Sequence, residues 1–192
     1  MKKILIGTHN KGKFKEISYL IFKKYKKISP LKLKIPSPAE TGKTFMSNSR
    51  LKAKFFSKYV SYPVISDDSG LSIKSLKNMP GVYSARLAKK KGSFFKAMIY
   101  LLKKLKNKKD RSATFICSLS FKDPKKKLVT VEGKIHGTIS KKIAGSNGFG
   151  YDPIFIPKNH KITFGQMAKS KKIKLDHRFI AFRKLKKKIK IL

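Results

Sequence analysis

Two adjacent aspartates, Asp67 and Asp68, stand in a chain that contains very few acids. The 192 residues include 49 Lys and Arg against 9 Asp and Glu, which gives a formal net charge of +40. Neighbouring carboxylates can ligate Mg²⁺, or one of them can accept a proton from an attacking water, and both can instead cap a turn. Successive side chains of a strand point in opposite directions, so both aspartates can face one ligand only where the chain turns. We expect Ser69 and Gly70 to supply that turn.

A second candidate is the stretch THNKGKFKE (8–16), which follows the short apolar run Ile4–Ile6 and leads into a helical pattern. A glycine-containing loop at a helix N-terminus presents backbone N–H groups and a positive dipole to an anion. The GxxxxGK[ST] pattern of a Walker A loop is absent. The stretch therefore favours a phosphate-binding loop, with an ordinary polar loop as the alternative.

A third candidate is the glycine-rich stretch GFGYDP (148–153). Its glycines allow close approach of the backbone to a ligand, and Phe149 between them is expected to be exposed and to stack on a base. A β-bulge with a buried Phe149 is the alternative. Three hydrogen-bond donors that suit a base edge or a phosphate follow later in the chain: Lys172, His177 and Arg178. For His177, a structural role is the alternative.

The spacing of apolar residues predicts the elements that must position these candidates. Helical spacing predicts helices over 13–25, from a cap at Thr44 onward, and over 93–105, 163–168 and 178–191. Strands are predicted at 4–6, 31–35 (LKLKI), 63–66 and 71–76, followed by a hairpin of 112–121 and 128–140. Alternating helices and strands with a later hairpin indicate an α/β fold with a mixed sheet.

Composition limits the class of protein. The length suits one well-cored domain or one domain with two lobes. The positive charge favours a nucleic-acid or anionic-surface binder, whereas lysines that run from Lys2 to Lys190 and interrupt every apolar stretch favour an ordinary solvated surface. The lone Cys117 is expected to be a buried side chain, and a single cysteine fits a protein of a reducing compartment. No apolar run suits a signal peptide or a membrane span, so we expect a soluble cytoplasmic protein with no membrane partner.

Five motifs occur together in order: THNKGKFKE, ETGKTFMSNSRLKA, SDDSGLSIKSLKNMPGVYSAR, GFGYDPIF and the His-Arg pair near the C-terminus. From Ile4 to about Leu185 the chain resembles the inosine triphosphate pyrophosphatase family, also called dITP/XTP pyrophosphatases. The resemblance implies an α/β fold in which an elongated mixed β-sheet is flanked by helices. It implies a single domain over 1–192, with two lobes and a central nucleotide cleft, and a homodimer. The implied activity is Mg²⁺-dependent hydrolysis of XTP, ITP and dITP to the monophosphate and pyrophosphate.

The resemblance also implies the roles of individual residues. Asp68 matches the catalytic proton acceptor, Glu40 and Asp68 match the ligands of one or more Mg²⁺ ions per subunit, and Asp67 is a supporting acid. The substrate-binding positions are Thr8, His9, Asn10, Lys11, Gly12 and Lys13 for the triphosphate, Asn48 and Lys52 on the cleft helix, Ser69, then Phe149, Gly150, Tyr151 and Asp152 for base and sugar, and Lys172, His177 and Arg178 for base recognition.

Four positions depart from the family pattern: Ser47, where the family usually has Glu, and Gln166, Lys171 and Asp176. They concern the surroundings of the metal and the selection of the base, and the acids Glu40, Asp67 and Asp68 are retained. Two rival functions remain open, a nucleic-acid binder and a pyrophosphatase for modified pyrimidine nucleotides. The chain has no helix-turn-helix or zinc signature, so we expect no specific nucleic-acid partner. The resemblance implies a nucleoside triphosphate as the substrate.

Overall fold

A computed structural model describes residues 2–189 of the chain. Within that range seven strands form one sheet: β1 (Lys2–Gly7), β2 (Tyr25–Ile28), β3 (Val64–Ile73), β4 (Met79–Pro80), β5 (Ser112–Lys122), β6 (Val129–Ile139) and β7 (Phe155–Pro157). The strand order is β2-β1-β3-β5-β6-β7, with β4 paired to β3. Strand β1 pairs in parallel with β2 and β3, whereas β4 and β7 pair antiparallel with β3 and β6. The predicted mixed α/β sheet is confirmed.

The α-helices of the described range are α1 (Lys11–Leu20), α2 (Phe45–Phe56), α3 (Ser84–Lys90), α4 (Phe94–Lys104), α5 (Lys169–Lys172) and α6 (His177–Ile189). Helix α2 begins after the predicted cap, because the side chain of Thr44 accepts the N–H of Ser47 at 3.0 Å. Helix α4 and the two long strands β5 and β6 match their predicted spans. The last two residues of the predicted 178–191 helix lie outside the described residues.

Two predictions around residues 21–35 are wrong. Helix α1 ends at Leu20, and Tyr25 is a buried residue of β2 rather than the last residue of a helix. The stretch LKLKI is not a strand, because a 3₁₀ helix over Pro30–Leu33 takes most of it. Pro30 begins that helix, and Ser29 caps it by accepting the N–H of Leu31 at 3.2 Å. Apolar spacing did not distinguish these elements, because buried side chains recur across the turn between α1 and β2.

The predicted helix over 163–168 is also wrong, and a four-residue helix, α5, follows it instead. Thr163 and Gln166 hold this segment as a turn: the Thr163 N–H donates to Gln166 Oε1 at 3.1 Å, and the Gln166 N–H donates to Thr163 Oγ1 at 3.2 Å. Gly165 lies against a neighbouring backbone, since a Cβ atom there would sit 2.7 Å from the carbonyl oxygen of Ala144. Side-chain capping and this close approach give a turn where helical spacing predicted a helix.

The turn expected at Ser69 and Gly70 is absent, because β3 runs unbroken from Val64 to Ile73. Gly70 serves a close approach instead. A Cβ atom there would lie 2.5 Å from the carbonyl oxygen of Gly81 and closer still to Ser84 Oγ. Asp67 and Asp68 are therefore consecutive residues of one extended strand, and their side chains project to opposite sides of the sheet.

The described chain divides into two compact units. Unit 1 comprises the described parts of 1–68, 117–133 and 178–192, and unit 2 comprises 69–116 and 134–177. Each unit has its own buried core: Ile6, Ile17, Ile65 and Leu185 are fully buried in unit 1, and Leu71, Leu101, Phe155 and Phe164 in unit 2. Cys117 is buried in unit 1, as predicted. None of the helices over residues 2–189 combines the length and the apolarity that a membrane span needs.

Candidate active site

The stretch from Thr8 to Lys13 joins β1 to α1 in unit 1. Asn10 caps the helix, with its Oδ1 accepting the N–H of Lys13 at 2.9 Å. Helix α1 begins at Lys11, so Lys11, Gly12 and Lys13 form its first turn rather than a loop. First-turn N–H groups and the positive end of the helix dipole are suited to an anion, and two lysines lie in that turn. Before the helix, His9 Nε2 lies 2.9 Å from the carbonyl oxygen of Ile35.

Asp67 is an ion-paired acid inside unit 1. Its Oδ2 lies 3.0 Å from Lys13 Nζ and 3.9 Å from Arg178 Nε, and its side chain is fully buried. Burial alone raises the pKa of Asp67, but the charges of Lys13, Lys52 and Arg178 outweigh burial and lower that pKa to about 2. Asp67 is therefore ionised, and it holds the Lys13 ammonium group in place.

Asp68 has a different environment. Its Oδ2 accepts a hydrogen bond from Asn48 Nδ2 at 3.0 Å, and Asn48 Oδ1 accepts the N–H of Gly42 at 2.7 Å. Burial raises the pKa of Asp68 and the charge of Glu40 adds to this, whereas the nearby lysines and the Asn48 hydrogen bond act in the opposite direction. The pKa of Asp68 is raised overall. A carboxylate with a raised pKa is better suited to accept a proton near neutral pH.

Glu40 lies in the loop before α2 and is paired with a lysine of that helix. Lys52 Nζ lies 2.7 Å from Glu40 Oε1, with Lys52 buried and Glu40 partly exposed. Burial lowers the pKa of Lys52, but Asp67, Asp68 and Glu40 reverse this, so its pKa is raised. The Lys52 side chain thus stays charged among three carboxylates.

The carboxylates of unit 1 fit a hard divalent cation. Among residues 2–189 no group of three or more His, Cys, Asp and Glu side chains could hold a metal by itself. Mg²⁺, however, is usually bound through one or two carboxylates, with waters and substrate phosphates as its other ligands. Asp68 and Glu40 supply two such carboxylates, and their mutual repulsion, which contributes to the raised pKa of Asp68, would be relieved by a cation.

A buried ion pair between Arg178 and Glu16 was not predicted from the sequence. Arg178 Nη1 lies 2.7 Å from Glu16 Oε2, and both side chains are nearly inaccessible. Glu16 lies on α1 three residues after Lys13, so the two share a face of the helix. This spacing and the scarcity of acids could have marked Glu16 as a candidate, but neither identifies Arg178 as its partner. The structure thus places Arg178 with Glu16 and Asp67 inside unit 1.

In unit 2 the glycine-rich loop is organised by Asp152. Its Oδ2 accepts the backbone N–H of Phe149 at 2.8 Å and lies 2.7 Å from Lys172 Nζ. The ammonium group of Lys172 also lies 5.3 Å from the centroid of the Phe149 ring. Gly148 and Gly150 have φ of 77° and 67°, which a residue with a side chain adopts at a cost. Phe149 is half-buried, so the expectation of an exposed ring is wrong.

Two further aromatic contacts position this part of unit 2. His177 stacks on Phe115 with ring centroids 4.8 Å apart and planes 8° from parallel. Tyr151 donates its hydroxyl to the carbonyl oxygen of Ser84 at 2.9 Å, and burial raises its pKa. Ser69 is half-buried within β3. The Phe115 stack therefore fixes the orientation of the His177 ring.

For three of the four residues that depart from the family pattern, the structure shows a local structural role or a buried position. Ser47 completes a capping box, because its Oγ accepts the backbone N–H of Thr44 at 3.1 Å. Gln166 closes the turn with Thr163, and Asp176 is buried directly before α6. Lys171 is exposed, and nothing in the structure explains it.

The predicted site residues therefore fall into two groups. Unit 1 contains Thr8, His9, Asn10, Lys11, Gly12, Lys13, Glu40, Asn48, Lys52, Asp67, Asp68 and Arg178. Unit 2 contains Ser69, Phe149, Gly150, Tyr151, Asp152, Lys172 and His177. The first group offers cations, a helix N-terminus and carboxylates, as phosphate and metal chemistry requires. The second offers aromatic rings and hydrogen-bond donors, as recognition of a base requires.

Comparison with known proteins finds relatives along nearly the whole chain. A protein from Caulobacter vibrioides named dITP/XTP pyrophosphatase is 39% identical over 186 residues, which cover 96% of each chain. One of the same name from Bacillus subtilis is 39% identical over 198 residues, covering 97% of this chain and 96% of that protein.

Solved structures agree with these relatives. The Ham1 protein of Staphylococcus aureus superposes with a TM-score of 0.87 at 35% identity over 98% of both chains. A HAM1 protein from Coxiella burnetii gives 0.88 at 31% identity over the full length of both. The sequence model of the Ham1 family matches residues 4–188 of this chain. The resemblance inferred from the motifs is confirmed, and the chain belongs to the Ham1 family.

Proposed function

We propose that this chain hydrolyses dITP, ITP and XTP to the nucleoside monophosphate and pyrophosphate, and so removes non-standard purine nucleotides from the nucleotide pool. The relatives named dITP/XTP pyrophosphatase support the reaction class. The observation that carries the residue assignment is the setting of Asp68, a buried carboxylate with a raised pKa that is oriented by Asn48 beside Glu40 and Lys52.

Triphosphate binding is assigned to the start of α1 and the lysines beside it. The N–H groups of Lys11 and Gly12 and the positive end of the α1 dipole would face the triphosphate, while the N–H of Lys13 is donated to Asn10 Oδ1. Lys13, held by Asp67, and Lys52, held by Glu40, stabilise the negative charge that develops on the departing pyrophosphate. Because each lysine is already fixed by a carboxylate, little reorganisation accompanies the reaction.

Magnesium is assigned to Glu40 and Asp68. When bound, Mg²⁺ supplies charge neutralisation at phosphate oxygens and lowers the pKa of a coordinated water. Asp68 accepts one proton from the attacking water, and the water oxygen forms a bond to phosphorus as the anhydride bond between the α and β phosphates breaks. Asn48 keeps the Asp68 carboxylate oriented for that proton transfer through its 3.0 Å hydrogen bond.

Selection of the base is assigned to unit 2, with Lys172 as the principal donor. Hypoxanthine and xanthine carry an oxygen acceptor at C6, where adenine carries an amino donor. The Lys172 ammonium, held by Asp152, is a donor that matches the C6 oxygen of hypoxanthine and xanthine. With ATP, the same ammonium donor would face the C6 amino group of adenine, which is also a donor. A buried mismatch of this kind can discriminate between substrates by about 10⁴-fold or more.

The decisive experiment is pyrophosphate release by Asp68→Asn, measured with ITP and XTP in the presence and absence of Mg²⁺. We expect the wild type to require Mg²⁺ and the variant to lose at least about 10³-fold in kcat, because general-base catalysis and a metal ligand are lost together. Asp123→Asn, which alters an acid in the β5–β6 turn, is the matched control and should keep full activity. Turnover of Asp68→Asn near the wild-type rate would contradict the assignment.

Substrate range is tested by comparing kcat/KM for XTP, ITP, GTP, ATP and dUTP. The C6 argument puts XTP and ITP far above ATP. Guanine carries the same C6 oxygen, so rejection of GTP requires discrimination at its 2-amino group, which the GTP measurement tests. A preference for dUTP would instead support the pyrimidine alternative. We further propose that both units form one domain over 1–192, and that the enzyme works in the cytoplasm as a homodimer. The family resemblance and the lone buried Cys117 support these last statements.

A further inference from the structure

A strongly cationic cavity lies in unit 2, formed entirely by residues outside the groups assigned above. Its volume is about 710 Å³, and its lining residues are Ile99, Leu102, Lys103, Lys106, Lys108, Lys109, Arg111 and Lys141. Six of these eight are cationic and none is acidic, whereas Lys and Arg make up 49 of the 192 residues of the chain. The concentration of charge therefore exceeds the high background of this chain. We call this feature the basic cavity.

Arg111 fixes the walls of the basic cavity. Its guanidinium donates to the carbonyl oxygens of Leu105 at 2.9 Å, Ile139 at 2.8 Å and Ser140 at 2.6 Å. These bonds tie together the residue after α4, the end of β6 and the segment that follows it. The turn that carries Lys106, Lys108 and Lys109 is thus anchored at both of its ends, at Leu105 and at Arg111 itself.

The lysines of the basic cavity are not neutralised by the protein. Within residues 2–189, Lys103, Lys106, Lys108, Lys109 and Lys141 form no ion pair with a carboxylate. Asp110 is adjacent in sequence, but its Oδ1 accepts the backbone N–H of Ser112 at 2.8 Å and it does not line the cavity. Five like charges on one concave surface attract a polyanion.

Two apolar residues of α4 line the basic cavity, and a third apolar residue of the same helix lies next to them outside the lining. Ile99 and Leu102 line the cavity, and Phe95 lies one turn before Ile99 on the same side of the helix. Phe95 and Ile99 are 58% and 37% exposed, which is high for side chains of this size. An exposed ring beside a row of cations can contact bases while the cations contact phosphates.

We propose that the basic cavity binds single-stranded nucleic acid without sequence preference. Its lysines take consecutive backbone phosphates, and the face formed by Phe95, Ile99 and Leu102 takes the bases. A second copy of this chain does not suit the cavity, because every copy carries a net charge of +40 and offers few acids to pair with these lysines. A flat membrane surface does not suit it either, because the charges line a concave wall.

The test is binding of a fluorescent oligothymidylate of about 15 nucleotides to the full chain over a range of salt concentrations. The triple variant Lys106→Ala, Lys108→Ala and Lys109→Ala should reduce the slope of log affinity against log salt by about 2, since each phosphate contact on a single strand contributes about 0.7. The matched control is Lys125→Ala, Lys126→Ala and Lys127→Ala, three equally exposed lysines of unit 1. The control should leave the slope unchanged.

Further arms separate the alternatives. Phe95→Ala should weaken oligothymidylate binding several-fold and leave binding of an abasic strand of equal length unchanged. Asp68→Asn should bind like the wild type, so failure of the proposed catalysis leaves this result intact. If the two triple-lysine variants weaken oligothymidylate binding equally, the proposal is overturned, because binding would then depend on the overall positive charge and not on the basic cavity. Tighter, cavity-dependent binding to phosphatidylserine vesicles, or displacement of the strand by an equal phosphate concentration of tripolyphosphate, would also overturn it.

Discussion

Asp67 and Asp68 are neighbours in the chain with opposite electrostatic environments. Three cations bring the pKa of Asp67 to about 2, whereas burial and Glu40 raise the pKa of Asp68. Two carboxylates whose environments push their pKa values apart divide the work between them. Asp67 stays charged and holds the Lys13 side chain, and Asp68 is the one suited to take up a proton. The alternation of side chains along β3 is what permits this division.

The first prediction at this scale concerns Asp67→Asn. Because the pKa of Asp67 is lowered from 3.8 to about 2 by folding, its ionisation stabilises the protein above pH 4, and this stability is lost as the pH falls from about 4 to about 2. The contribution is on the order of 2 kcal/mol. At pH 7 the variant should lose about 3 kcal/mol, because buried cations lose their partner. Urea unfolding at pH 7, 4 and 3 measures both effects.

The control for this prediction is Asp123→Asn, an acid outside the buried network. It should keep wild-type stability at pH 7 and the same loss of stability on acidification. An Asp67→Asn variant whose free energy of unfolding still falls by as much as that of the wild type between pH 4 and pH 3 would contradict the assignment of that titration to Asp67.

The second prediction concerns base selection by Lys172→Met, which removes the ammonium group and keeps much of the side-chain length. One charged hydrogen bond contributes about 1.5–3 kcal/mol, so kcat/KM for ITP should fall by about 10- to 100-fold, while that for ATP stays the same or rises. Lys169→Met, at an exposed position of the same short helix, is the control. Equal losses for ITP and ATP would assign Lys172 to folding rather than to selection.

At the scale of elements, sequence patterns predicted the long, strongly periodic segments and missed the short ones. Helix α4 and strands β5 and β6 are long enough for their apolar period to be unambiguous. The stretch LKLKI alternates like a strand, yet the proline and the serine cap before it give a 3₁₀ helix. Contacts distant in sequence, such as those that confine Gly70, leave no periodic signal, so a turn was predicted where a strand passes close to a neighbouring backbone.

The prediction at this scale is that Gly70→Ala destabilises the protein by about 1–3 kcal/mol, because the added methyl overlaps the carbonyl oxygen of Gly81 and the hydroxyl of Ser84. Gly92→Ala is the comparison: its φ is 85° and nothing lies within 4 Å of a Cβ there, so only backbone strain of about 1 kcal/mol is expected. Because Gly70 lies on the same strand as Asp68, kcat should fall in Gly70→Ala and stay unchanged in Gly92→Ala. Urea unfolding of both variants, with ITP hydrolysis, measures the difference, and a smaller loss of stability in Gly70→Ala than in Gly92→Ala would contradict the close-approach role.

At the scale of the whole molecule, the order of the motifs identified the family better than any single motif did, and the family match over residues 4–188 confirms it. Glu40, Asp67 and Asp68 were singled out because carboxylates carry chemistry and because the scarcity of acids made them conspicuous, whereas the cap that Asn10 forms on α1 was not predicted. The ion pair of Glu16 with Arg178, which are 162 positions apart, could not be found from local pattern, because only the fold brings them to 2.7 Å. The same holds for the basic cavity, whose lysines are indistinguishable in sequence from the many solvated ones.

The net charge leads to the last prediction, which concerns assembly. Two subunits of +40 repel each other over a distance set by the Debye length, about 30 Å at 0.01 M salt and about 8 Å at 0.15 M. If the chain forms the homodimer that we propose, its dissociation constant should fall by at least about tenfold between these two salt concentrations, because screening removes repulsion without weakening buried contacts. Sedimentation velocity at several protein concentrations measures this. The buried pair of Asp67 with Lys13 is shielded from salt, so activity per dimer should change far less than the dimer fraction. A dimer fraction that is constant or falls with salt would mean that the charge faces away from the interface or that the interface itself depends on ion pairs.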